Sequence, residues 1–141
     1  TLKTLSGEKG VLLFYTRSLD WCPFCQAQMI EVIDRAAELR AMGYGVASVS
    51  YDSVAKLAQF ANMQGDAIAL LSDEGSATIK ALGILNDQIQ QSSSLYGFPH
   101  PVVFAVRPDG TIAAKFFEQD YRKRPPLDAI IADLETLDGA S

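Results

Sequence analysis

A chain of 141 residues, 48% hydrophobic and 21% charged, has the length and apolar content of one globular domain spanning 1–141, with a sizeable core. Its formal net charge of −5 and pI near 4.7 exclude the clustered basic surface that nucleic acid and anionic membranes reward, since the one basic run, Arg122-Lys123-Arg124, is too short to alter that. Every apolar run falls well short of the roughly 20 residues that a membrane-spanning helix needs.

Residues 1–10 are polar with Gly7 and Gly10 and read as a lead-in. Val11 to Tyr15 is a short continuous apolar run ending in Thr16, the pattern of a strand buried on both faces and central in a sheet. Apolar residues at Met29, Ile30, Val32, Ile33, Ala36, Ala37, Leu39 and Met42 recur at intervals of three and four, which predicts one helix from about Pro23 to Met42, stopped by Gly43. Gly45 to Ser50 follows as a second strand, and a strand, long helix and strand in that order imply a parallel pair.

Tyr51-Asp52-Ser53 supplies a turn and an N-cap for a helix over 54–64, with Leu57, Ala58, Phe60 and Ala61 inward. Ile68 to Leu71 is a short edge strand, Ser72 to Gly75 a turn, and Ala77 to Leu82 a short helix closed by Gly83. From Asn86 to Tyr96 the chain turns polar and serine-rich, a surface excursion. Val102 to Val106 and Thr111 to Phe117, joined by Arg107-Pro108-Asp109-Gly110, form an antiparallel hairpin. Pro125-Pro126 then opens a last helix to about Leu137, with Leu127, Ile130, Ile131 and Leu134 on one face. The sum is an α/β fold with helices on both faces of a mixed sheet, parallel in its first half and antiparallel in its C-terminal hairpin.

The only two cysteines, Cys22 and Cys25, stand two residues apart in Asp20-Trp21-Cys22-Pro23-Phe24-Cys25, where the first strand gives way to the long helix. A cysteine at a helix start faces unpaired backbone N–H groups and the positive end of the macrodipole, which favour its thiolate. Cys22 is therefore the candidate nucleophile. Cys25, one turn on and on the same face, is placed to attack a mixed disulfide on Cys22 as the resolving group. Pro23 suits the first helical position, where its missing N–H costs nothing, and Trp21 and Phe24 are expected to shield the sulfurs from water. A zinc or iron–sulfur site needs about four ligands, and His100 is the one further soft or borderline ligand here; a structural disulfide would close too small a loop to constrain the unfolded chain much. No metal and no cofactor beyond a redox-active Cys22-Cys25 disulfide is expected. A lone CxxC fits a reducing cytosol, the compartment expected here, and equally an oxidising periplasm had a leader preceded Thr1.

This order of elements, with WCPFC after the first strand and a proline directly before the hairpin, resembles the thioredoxin-like superfamily. Within it the chain is similar to the redoxin branch of alkyl hydroperoxide reductase and thiol-specific antioxidant relatives, from about Val11 to Leu134. The motifs that carry the likeness are Asp-Trp-Cys-Pro-Phe-Cys at 20–25, Val-Ser-Tyr-Asp-Ser at 49–53, Leu-Leu-Ser-Asp-Glu-Gly at 70–75 and Pro-His-Pro-Val-Val-Phe before Arg-Pro-Asp-Gly. The resemblance implies a three-layer α/β/α sandwich and a cis proline facing the CxxC, which by position is Pro101, with Pro99 the rival; His100 would then lie near the sulfurs. Trp21, Pro23, Phe24, His100 and Pro101 are the implied substrate-contacting residues. The chain also departs from the branch. The buried aspartate of thioredoxins is replaced by Thr16, and the hydroxyl and arginine that orient peroxide in peroxiredoxins fall on Leu19 and Pro101, with Arg17 and Ser18 close by in sequence.

Those residues favour thiol–disulfide exchange, with Cys22 attacking, Cys25 resolving and an external thiol reductant or oxidant resetting the pair. A peroxiredoxin-like thiol peroxidase using the same two sulfurs is the alternative. The third reading is a redox-sensing binding module holding a partner at residues 86 to 98. The expected partners are protein or small-molecule disulfides and thiols, or peroxide.

Overall fold

The computed structural model describes residues 2–65, 67–117 and 126–139. Five strands form one sheet in the order β3-β2-β1-β4-β5: β1 (Gly10–Tyr15), β2 (Tyr44–Ser50), β3 (Ala69–Ser72), β4 (Val102–Val106) and β5 (Ile112–Phe117). β1 is central, as its unbroken apolar run requires. It pairs in parallel with β2, Tyr15 opposite Val49, and antiparallel with β4, Tyr15 opposite Val102. β3 extends the parallel half and β5 the antiparallel half, so the mixed sheet is as expected.

Alternation along the strands sorts side chains into two cores. Leu12, Phe14, Val46, Val103 and Ala105 meet the residues Cys25, Met29, Val32, Ala36, Leu39, Leu57, Phe60, Leu127, Ile130, Ile131 and Leu134, contributed by α2 (Pro23–Asp34), α3 (Ala36–Ala41), α4 (Val54–Gln64) and α6 (Leu127–Gly139). On the opposite face Val11, Tyr15, Val49, Val102, Phe104 and Val106 meet Ile79 of α5 (Ala77–Ala81) and Ile84. These are the three layers of an α/β/α arrangement.

Four expectations are corrected. The lead-in contains a short helix, α1 (Leu2–Leu5), which docks so closely on β2 that a Cβ at Gly45 would collide with the Leu5 carbonyl oxygen. The long helix is two: Arg35, with φ −108° and ψ 13°, ends α2 and starts α3, and its guanidinium is held by Glu38 and, at 2.6 Å, by Asp128 of α6. That break turns Ala36 and Leu39 into the core, where both are buried. Ala58 of α4 is exposed rather than inward. No cis peptide bond occurs among the described residues, so neither Pro99 nor Pro101 is cis. The reason is a bridge: the backbone at 98–100 runs extended beside 84–86, with Asn86 N–H donating to Phe98 O and His100 N–H to Ile84 O. The basic run at 122–124 and Pro125 lie outside the described residues, and Pro126 sits just ahead of α6.

Candidate active site

The cysteines lie where β1 and β2 end side by side, at the carboxyl edge of the parallel half of the sheet, the edge where open α/β sheets place their ligands. Cys22 is the N-cap of α2, with extended dihedrals of φ −103° and ψ 103°. Its sulfur accepts the Cys25 N–H at 3.4 Å, occupying one of the donors left open at the helix start. Pro23 follows at the first helical position, as its missing N–H predicts. The Cys25 sulfur in turn accepts the Arg17 N–H at 3.3 Å. Both cysteines are buried, their residues 1% and 0% exposed.

An aromatic group assembles around Trp21, the residue before Cys22. Trp21 packs edge to face on Phe98, ring centroids 5.2 Å apart, and on Tyr51 at 6.4 Å, and its Nε1 donates to the Tyr51 hydroxyl at 3.0 Å. The Arg17 guanidinium lies over both Trp21 and Phe98, 5.0 and 4.7 Å from the ring centroids, a cation–π arrangement that keeps a positive charge beside the residue preceding Cys22. Phe98 reaches this group because Gly97 has φ +115° and lies against Ser76 and Tyr51, so a Cβ there would press on the Ser76 hydroxyl. Burial pushes the Tyr51 phenol above its usual range, partly opposed by the bond from Trp21. A cleft of about 300 Å³ opens beside the indole, lined by Trp21, Tyr51, Ser53, Lys56, Glu74 and Ser94 among others.

The loop 18–21, which delivers Cys22, is tied on several sides. The Asp52 carboxylate, buried just past the end of β2, accepts the Ser18 hydroxyl at 2.7 Å, the Leu19 N–H at 2.7 Å and the Ser50 hydroxyl at 2.8 Å. The Ser18 oxygen accepts the Asp20 and Trp21 N–H groups at 2.9 and 3.2 Å. Gln26 of α2 donates through Nε2 to the Leu19 and Asp20 carbonyls at 2.9 and 3.3 Å, and Lys56 pairs with Asp20 at 3.2 Å.

The structure brings Cys22, Cys25, Pro23 and Trp21 together at the start of α2. Phe24 does not shield the sulfurs: it is 42% exposed, and Pro23 is exposed beside it, because the first turn of α2 points both outward. Pro101 is buried at the start of β4. The His100 side chain is 49% exposed and faces Asp87, 4.0 Å away. Asp52 is the residue sequence reasoning passed over. It reads locally as turn chemistry, and Ser53, not Asp52, caps α4; the available signal was that each of two adjacent parallel strands is followed within three residues by a short polar side chain, Ser18 after β1 and Asp52 after β2.

The AhpC/TSA family profile matches residues 1–115. Among curated relatives, the chain is 28% identical over 116 residues to a putative peroxiredoxin bcp of Haemophilus influenzae, covering 82% of this chain and 73% of that one. It is 27% identical over 115 residues to peroxiredoxin Bcp of Escherichia coli, covering 82% and 72%. Among solved structures, peroxidoxin BcpB of Mycobacterium tuberculosis superposes with a TM-score of 0.75 at 21% identity, over 99% of this chain and 85% of that one. The bacterioferritin comigratory protein of Xanthomonas campestris gives 0.76 at 21% identity, over 96% and 82%. The profile spans most of the chain, including both cysteines, and with it the question of kind is closed: this chain belongs to the AhpC/TSA family, thiol-based redox proteins of the thioredoxin-like fold.

Proposed function

We propose that the chain is a dithiol peroxidase, in which Cys22 reduces a peroxide, Cys25 resolves, and an external thiol resets the pair. The observation that carries this is the burial of Cys22, 1% exposed. A protein disulfide must bring its own sulfur in line with the attacking thiolate, which a covered nucleophile resists; a small peroxide meets no such bar. Burial therefore reverses the order favoured by the cysteine spacing alone, and the peroxiredoxin names of the curated relatives support the same choice.

The Cys22 thiolate attacks one peroxide oxygen, the O–O bond breaks, and the leaving alkoxide or hydroxide takes a proton to depart as alcohol or water. Cys22 is left as a sulfenic acid. The Cys25 thiol, one helical turn away, attacks the Cys22 sulfur, forming the disulfide and releasing water. A reducing dithiol then attacks that disulfide and leaves as its own disulfide, returning both cysteines as thiols. The Arg17 guanidinium, held over the ring of Trp21 beside Cys22 in sequence, is the cation proposed to stabilise the negative charge that develops on the departing oxygen. The exposed Pro23 and Phe24 are the surface on which the resetting thiol would dock.

Trp21, the chain's only tryptophan, reports the reaction directly. Reduced protein is mixed by stopped flow with hydrogen peroxide, or separately with a protein disulfide, while its fluorescence is followed. A peroxide phase orders of magnitude faster than a free thiolate gives, absent in Cys22→Ser and arrested at sulfenic acid in Cys25→Ser, is the expected result. A slow peroxide phase with a fast disulfide phase would replace peroxidase by exchange, and no phase with either would leave the sensing module.

A further inference from the structure

We propose that Asp52 and Ser18 are positioning residues for Cys22. The proposal rests on Cys22 being the nucleophile, and it deepens that reading.

Asp52 accepts from three donors, and two of them, the Ser18 hydroxyl and the Leu19 N–H, belong to the loop that precedes Cys22. An ordinary turn carboxylate caps backbone within a few residues of itself. This one reaches across 34 residues of sequence to Ser18, joining the ends of the two parallel strands. Ser18 passes the constraint on: with its hydrogen committed to Asp52, its lone pairs hold the Asp20 and Trp21 N–H groups. Cys22 is the next residue. Its extended N-cap conformation, which points the sulfur at the Cys25 N–H, is the continuation of a loop whose N–H groups at 19, 20 and 21 are all tied to this pair.

Polarity makes the pair specific. Asp52 and Ser18 are both buried, so a lost partner is not replaced by bulk water. An amide in place of the carboxylate keeps the shape but puts an NH2 either against the Leu19 N–H or against a Ser18 oxygen already holding two donors. Either way one bond is lost. The expected consequence is a looser N-cap: the Cys22 sulfur loses part of its N–H partner, its thiolate is less favoured, and peroxide attack loses alignment.

The test uses the full chain carrying Cys25→Ser, so that Cys22 is the only thiol. Ser18→Ala, Ser18→Thr, Asp52→Asn and the Ser18→Ala/Asp52→Asn double variant are compared. Three quantities are read: the pH midpoint of Cys22 alkylation by iodoacetamide, the second-order rate with hydrogen peroxide, and the melting temperature. Ser18→Ala and Asp52→Asn should each move the midpoint upward by about one pH unit and slow peroxide reduction roughly 10- to 100-fold. The double variant should be no worse than the worse single one, as two members of one network require, and Ser18→Thr, which keeps the hydroxyl, should restore the midpoint toward that of the parent. Variants that melt earlier but keep the parent midpoint and peroxide rate overturn the proposal, since the pair would then only hold the fold. Losses that simply add in the double variant overturn it too. If Ser18→Ala fails to fold, the comparison of Asp52→Asn with Ser18→Thr decides on the same readouts. A parent protein whose Cys22 meets peroxide no faster than free cysteine would sink the peroxidase reading alone, because the alkylation midpoints still judge the pair.

Discussion

Trp21 Nε1 donates to the Tyr51 hydroxyl at 3.0 Å, and the two rings meet edge to face, so the residue before Cys22 is anchored to the residue after β2. Tyr51→Phe keeps the ring contact and removes only the acceptor. The expected cost is about 0.5–1.5 kcal/mol of stability, read by urea unfolding. The Trp21 emission of the folded protein should shift as the indole N–H is released. An unchanged spectrum would mean that the bond is not held in solution.

The burial of two tyrosines sets an alkaline limit. Burial raises the Tyr15 phenol above its ordinary value of 10.0, with the bond to Thr78 opposing and the charge of Asp73 reinforcing; burial raises Tyr51 likewise, with the bond from Trp21 opposing. The native state therefore holds protons that the unfolded state has released. The stability this contributes is complete below pH 10 and is lost as pH rises through the native values. Phenolate absorbance should show both groups titrating later than free tyrosine, and the midpoint of urea unfolding should fall above pH 10. Ionisation of all five tyrosines at the ordinary value in the native protein would contradict this.

The cysteine pair was the most legible part of the chain, because its physics is local: two sulfurs one turn apart, a proline that suits the first helical position, and a buried strand just before them. The central place of β1 followed from the run Val11 to Tyr15 for the same reason. What escaped the sequence depends on distant partners. Arg35 has ordinary helical neighbours, and its departure from helical dihedrals coincides with a bond to Asp128, 93 residues away. Asp52 looks like a turn residue until β1 and β2 lie side by side. His100 stands next to a proline that resembles an active-site landmark, yet the extended bridge with residues 84–86 turns its side chain toward Asp87.

That placement predicts that His100 is dispensable. Half-exposed, its side chain stands 4.0 Å from the mostly exposed carboxylate of Asp87. His100→Ala should alter stability by no more than about 0.5 kcal/mol and leave the peroxide rate and its pH profile as in the parent. A lowered rate with a profile that loses one ionisation would return His100 to the site.

Phe98 is the opposite case. It is fully buried, its ring contacts Trp21 and Tyr51, and the Arg17 guanidinium lies 4.7 Å over it. Phe98→Ala removes the wall against which Trp21 is packed, at an expected cost of about 3–5 kcal/mol, read by urea unfolding. Loss of that wall should also relax the selectivity that burial gives Cys22. In the Cys25→Ser background a bulky maleimide should gain more in rate than iodoacetamide does, and the Trp21 emission should move toward that of exposed indole. Equal gains for both reagents would mean that Phe98 stabilises the fold without screening the nucleophile. The size preference would then have to come from Trp21 and Arg17, and Trp21→Ala would be the variant that abolishes it.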